Sequence, residues 1–317
     1  MKRYVGILAA LLVIFISAGC GSSEETTSDN KKDVLTIKTT LYPLQYFTER
    51  IAGEEAEVSS ILPPGTNAHT YEPTTKEMVD MADADAFIYN GAGLESYASD
   101  ISDVIKPEGV KIVEASKGID LLKDTEEHHQ EGEHEHEDHD HEHGDYNPHV
   151  WLDPVRSIQI AEHIKEMMIE LKPSSEEKFN QNFEALKSEL QELDKEFETL
   201  KDEPKKDIVV SHAAYGYWEE RYGIHQQAIA GISSTNEPSQ KELEELIHFG
   251  EKHDVNYVLF EQNVTPKVAE VVQKELGAKA LRLHNLAVLT DEDIKNEEDY
   301  FTLMKHNKEV LKKALSQ

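Results

Sequence analysis

The chain has 317 residues, enough for two domains of ordinary size, each with its own core. Its 63 acidic residues against 32 basic ones give a net charge of −31, which excludes the basic footprint that nucleic-acid binding requires. The single cysteine, Cys20, excludes disulfides within the chain and metal sites built from several thiolates.

The amino terminus reads as a targeting segment. Lys2 and Arg3 form a basic start, Val5 to Ile16 an apolar run, and Ser17-Ala18-Gly19 a small-residue cleavage stretch. A membrane-spanning helix needs about 20 apolar residues, and this run is shorter. The arrangement resembles a bacterial lipobox, with Ser17 where Leu is usual, so Cys20 is expected to be the lipidated first residue of the mature protein. Residues 20–32 are small, polar and charged and suit a flexible tether.

From residue 33 the chain alternates strand and helix patterns. Strands are predicted at 34–40, 58–62, 86–89 and 110–113, with helices at 43–52, 75–82 and 94–105 between them. A helix is predicted over 155–171, ended by Pro173. From Ser174 to Leu200 the apolar positions Phe179, Phe183, Leu186, Leu190, Leu193, Phe197 and Leu200 recur at spacings of four and three, which is one helical stripe. That helix would be roughly 40 Å long. A coiled-coil seam is the competing reading of the stripe; a rigid helix lying along two lobes is preferred. The alternation then resumes, with strands at 207–211, 226–229, 256–260 and 279–283 and helices at 214–222, 239–253, 265–276 and 297–315. The expected fold is α/β: two lobes, each a parallel-type sheet flanked by helices. The amino-terminal lobe covers 33–172, the linking helix 173–204 and the carboxy-terminal lobe 205–317.

Two features point to metal. Residues 126–143 hold seven histidines (His128, His129, His134, His136, His139, His141 and His143) and nine acids. Just beyond lies Asn147-Pro148-His149-Val150-Trp151-Leu152-Asp153-Pro154, where one histidine is fixed between Pro148 and a bulky pair. Neutral imidazole is the commonest metal ligand, and zinc accepts nitrogen and carboxylate oxygen in a tetrahedral shell. The expectation is one built site and an auxiliary, weaker metal-gathering loop. Ligands in open α/β sheets belong beyond the carboxyl ends of strands. His69 lies in the loop after the second strand, while His212, Glu261 and His284 each directly follow a strand of the second lobe. With His149 they could meet in a cleft between lobes. His163, His225, His248, His253 and His306 lack such context and are read as structural.

The segments NPHVWLDP, PPGTNAHTYEP (63–73) and SHAAYGYW (211–218), together with the histidine-acid insertion, resemble the zinc-specific solute-binding lipoproteins of bacterial ABC-type metal importers, the high-affinity zinc uptake family. The resemblance covers the chain after the tether. It implies two α/β lobes joined by one long rigid helix, a metal between them, and His69, His149 and His212 as ligands. Relatives carry an acid near the last strand, in patterns such as LDPL or LNPLE. Here His284 stands where that Asp would be and Ala287 where that Glu would be. His284 is the favoured fourth ligand; Glu261 or a water are the alternatives.

The implied function is capture of Zn(II) outside the cell membrane by a lipid-anchored monomer and its delivery to an ABC permease with its ATPase subunit. Imidazole donors suit zinc better than the harder manganese ion, which leaves manganese as the runner-up metal. An adhesin or zinc buffer without a transporter is a further alternative. A zinc hydrolase is the rival of another class, since three histidines plus water also make a catalytic shell. Against it, no His-Glu-x-x-His pair occurs, and Glu72 is the only acid close in sequence to His69.

Overall fold

The computed structural model describes residues 34–123, 146–236, 238–263 and 267–316. The leader, Cys20, the tether and the His-rich stretch 126–143 lie outside the described residues.

The first sheet contains β1 (Leu35–Thr39), β2 (Ala56–Ser60), β3 (Ala86–Tyr89) and β4 (Lys111–Glu114) in the order β2-β1-β3-β4. The second contains β5 (Asp207–His212), β6 (His225–Ala230), β7 (Tyr257–Phe260) and β8 (Lys279–Arg282) in the order β6-β5-β7-β8. Every pairing in both sheets is parallel. The second strand of each sheet lies on one side of the first and the third strand on the other. Each sheet therefore has a switch point where the strand carboxyl ends splay apart, the usual place for a ligand in open α/β folds.

Helices α1 (Tyr42–Ala52), α2 (Thr75–Ala82) and α3 (Ala98–Ile105) connect the first sheet, and α4 (Pro154–Leu171) completes that lobe. The second sheet carries α6 (Gly216–Tyr222), α7 (Gln240–Lys252), α8 (Lys267–Glu275), the short α9 (Asp291–Lys295) and α10 (Tyr300–Leu315). Between the lobes runs α5 (Glu176–Glu198), with a 3-10 turn at either end. Its stripe is buried as the spacing predicts, from Phe179 through Phe197. Near its start Asn182 donates to the carbonyl of Ile51, and Glu189 pairs with Arg50, both on α1. Near its end Asp194 takes Arg221 of α6, Glu196 takes Lys308 of α10, and Phe197 packs on Trp218 and Tyr222. One helix face thus serves both lobes, and no second chain is needed to cover it.

The lobes share one continuous core, in which Ile37, Phe47 and Met168 belong to the same packed cluster as Val210, Leu259 and Tyr300. Alternation along β5 divides its neighbours: Ile208 and Val210 face that core, while Val209 joins Ile229, Leu246, Val258 and Val272 in a smaller cluster under α7 and α8.

Some boundaries move for local reasons. The helix expected from Leu94 begins at Ala98 because the Glu95 side chain turns back to accept from the backbone N–H groups of Asn90 and Gly91. Gly91 is required there: its φ is +83°, and a Cβ would lie 2.5 Å from the Glu114 side chain. The last helix begins at Tyr300 rather than Glu297, since Asp299 caps it by accepting from Thr302.

Candidate metal centre

His69 and His149 are placed by the same device. Asn67 Oδ1 accepts the backbone N–H of His69 at 3.0 Å, and Asn147 Oδ1 accepts that of His149 at 3.0 Å. Each is a local turn in which an asparagine two residues upstream fixes a histidine's backbone. Asn147 Oδ1 also lies 2.9 Å from Nδ1 of His149. An amide oxygen can only accept, so Nδ1 carries the proton and Nε2 presents its lone pair.

His212 ends β5, where the sheet delivers it to the switch point beside β7. The carboxylate of Glu261, first residue after β7, lies 2.7 Å from His212 Nδ1, off the ring N–H axis. A carboxylate this close behind an imidazole raises its basicity toward a metal. Ser211 Oγ, accepting the Glu261 N–H at 3.3 Å, ties the two strand ends together.

The three rings meet at their Nε2 atoms: His69 Nε2 is 3.2 Å and His212 Nε2 3.1 Å from His149 Nε2. With zinc–nitrogen bonds near 2.05 Å, the edge of a tetrahedral shell is about 3.3 Å. The spacing matches a shared cation. Among the described residues this trio is the one set of three such side chains whose ligand atoms all lie within 4.8 Å of one another. His149 and His212 are buried and His69 partly so. Burial, with His212 adding to it, lowers the His69 pKa to about 3. Burial also holds His149 well below the usual imidazole range, with the two neighbouring rings adding to it. Both rings are therefore neutral, which is the form that binds a metal.

The segment around His149 is gripped on all sides. Tyr217 OH donates to the carbonyl of Asn147, Asn90 Nδ2 to that of Pro148, Tyr300 OH to that of Trp151 and Trp218 Nε1 to that of Leu152. Trp151 Nε1 donates to the carbonyl of Asn285. Asp153, fully buried, caps α4 through the N–H of Val155 and takes Arg156 at 2.6 Å and Arg221 at 3.3 Å. Most of these contacts bind a first-lobe segment to the second lobe, so His149 is a fixed point between lobes.

His284 stands apart from the trio. Its Nε2 is 3.1 Å from Asp293 Oδ2, and its Nδ1 accepts the N–H of Leu286 and lies 3.0 Å from Gln262 Nε2. Glu261 touches the back of His212 rather than the point where the rings converge. Of the histidines read as structural, His163 bonds the carbonyl of Ala115 and His253 pairs with Asp207. Sequence reasoning missed the two asparagines and the Tyr-Trp grip. The repeated Asn-x-His spacing was a readable signal for the first; the second arises only in three dimensions.

Fold and site together define a two-lobed α/β binding protein whose lobes enclose a compact three-imidazole cluster. The sequence model of the family described as "Zinc-uptake complex component A periplasmic" (ZnuA) matches residues 37–314. The chain is 36% identical over 321 residues to the zinc-binding lipoprotein AdcA of Streptococcus pneumoniae, covering all of this chain and 62% of that one. It is 35% identical over 316 residues to the high-affinity zinc uptake system protein ZnuA of Bacillus subtilis, covering 99% of this chain and 98% of that one. The crystal structure of the Zn(II)-bound ZnuA-like domain of S. pneumoniae AdcA superposes with a TM-score of 0.74 at 34% identity, over 90% of this chain and all of that domain. The chain belongs to the ZnuA zinc-uptake family. It spans about three-fifths of the length of the AdcA relatives, 62% for the S. pneumoniae protein.

Proposed function

We propose that this protein captures Zn(II) outside the cell membrane and passes it to an ABC-type permease and its ATPase subunit. The observation that carries this reading is the convergence of three imidazoles, with the Nε2 atoms of His69 and His212 both at a tetrahedral-edge distance from that of His149. His69, His149 and His212 are the ligands, and a fourth position falls to water, because both ring nitrogens of His284 are engaged elsewhere. Three imidazole donors favour zinc over manganese, which prefers oxygen. The protein acts as a carrier and not as an enzyme. Cys20 anchors it as a lipidated monomer on the extracytoplasmic face, and residues 126–143 gather metal weakly. The naming of the S. pneumoniae relative as a lipoprotein and of the B. subtilis relative as part of a zinc uptake system supports the anchor and the permease.

The test is metal content and zinc–manganese competition on three proteins: intact, lacking Glu126 to His143, and His149→Ala. The reading expects one tight zinc that survives the deletion, resists excess manganese and disappears with His149→Ala. Tight binding that vanishes with the deletion and ignores His149 would make the protein a buffering chelator instead.

A further inference from the structure

The loop that carries His69 crosses to the other lobe through two side-chain hydrogen bonds. Asn67 Nδ2 donates to Ser234 Oγ at 3.0 Å, and Asn263 Nδ2 donates to the carbonyl of Thr66 at 3.1 Å. Their partners are placed with respect to His212. Ser234 sits in the loop after β6, and that loop is joined to the residue after His212 by the Ala213 N–H to Gly231 carbonyl bond. Asn263 lies two residues beyond Glu261, in the loop after β7. Since β5 lies between β6 and β7, the two bonds reach the His69 loop from either side of His212.

Asn67 has two tasks in this arrangement. Its oxygen holds the backbone N–H of His69, and its nitrogen holds the opposite lobe. The amide is planar, so rotation of one end moves the other. Separating the Ser234 loop from the first lobe removes one of the two bonds that fix the amide plane, and so loosens the turn that aims His69. The His149 segment has no such weakness, because several Tyr, Trp and Asn side chains grip its carbonyls independently.

We infer that Asn67 is a positioning residue that couples contact between the lobes to retention of the metal by His69, with Ser234 and Asn263 as the latch. The inference rests on the reading of the trio as a zinc site. Loss of the latch should speed release, since bound metal no longer finds His69 fixed, while capture through the other two imidazoles is little changed.

The experiment loads the full chain with one equivalent of Zn(II) and follows the slowest release phase into excess chromophoric chelator by stopped flow. Capture rates are measured separately. One lost hydrogen bond corresponds to about a three- to tenfold change. Ser234→Ala and Asn263→Ala should each accelerate release by about that factor with capture within twofold of wild type. Asn67→Ala should accelerate it more, and adding Ser234→Ala to Asn67→Ala should change nothing further. Release at the wild-type rate in Ser234→Ala and Asn263→Ala overturns the latch, as do effects of Asn67→Ala and Ser234→Ala that multiply. If wild-type protein retains no zinc, the metal reading itself fails and the latch with it.

Discussion

The chemistry of single residues sets what the site does with protons. His69 and His149 are neutral because burial makes an imidazolium costly, and neighbouring rings add to that cost. In the unfolded chain His69 titrates near its ordinary 6.5, and in the folded metal-free chain near 3. Between those values the unfolded state binds more protons, so stability falls as the pH drops from 6.5 toward 3. The slope is up to about 1.4 kcal/mol per pH unit for each such group. Urea midpoints of chelator-treated protein should therefore fall from pH 7 to pH 5, and His69→Ala should show a shallower fall; equal slopes would refute the assignment. Zinc affinity should hold to lower pH than free imidazole would allow, since no proton need leave either ring. Glu261 offers a second check. Glu261→Gln keeps the size and an acceptor oxygen but removes the charge behind His212, and should weaken zinc about tenfold. An unchanged Kd in a competition titration would show that the contact adds nothing.

At the scale of elements, strand ends and the loops after them bring the three histidines together, and the aromatic grip holds the His149 segment in place. Tyr215 stacks on Trp218 with ring centroids 4.8 Å apart, and Phe197 of α5 packs on the same indole. Trp218 thus joins α5, α6 and the His149 segment. Trp218→Phe keeps most of the packing but leaves the buried Leu152 carbonyl without its donor. The expected cost is about 1 to 3 kcal/mol of stability, the price of an unsatisfied buried acceptor. Denaturant melts of metal-free wild type and variant measure it, and an unchanged midpoint would show that solvent replaces the bond. The ion cluster of Asp153, Arg156 and Arg221 works alongside. Its Arg156 also lies over the Tyr217 ring at 4.9 Å, so charge and ring both orient the start of α4.

For the whole molecule, two lobes with one shared core have limited freedom to separate, and metal bridging them should stabilise the fold. Binding to the folded state alone contributes about 4 kcal/mol when free zinc is a thousand times Kd. For a chain of this size that is on the order of 10 °C in Tm. Calorimetry on protein lacking residues 126–143, with and without zinc, isolates the built site from the His-rich stretch. A shift that needs that stretch would place the stabilising metal elsewhere. The net charge of −31 adds long-range attraction for cations and solubility, and does not define where they bind.

The alternation of strands and helices, the buried stripe of α5, and three histidines in or just beyond strand ends were legible in the amino-acid pattern. Those features are local, written in periodicity and in turn residues such as Pro148 that shape the chain within a few positions. The surroundings of His284 follow only from packing. His284 follows its strand as His212 does, yet its ring nitrogens are taken by Asp293, nine residues on, and by the N–H of Leu286. Whether a strand-end histidine faces the cleft or a neighbouring loop depends on which partners packing brings within hydrogen-bonding distance, and spacing carries no record of that. The same holds for Glu261, which the fold sets behind His212, and for Ser234, 167 residues from the asparagine it meets.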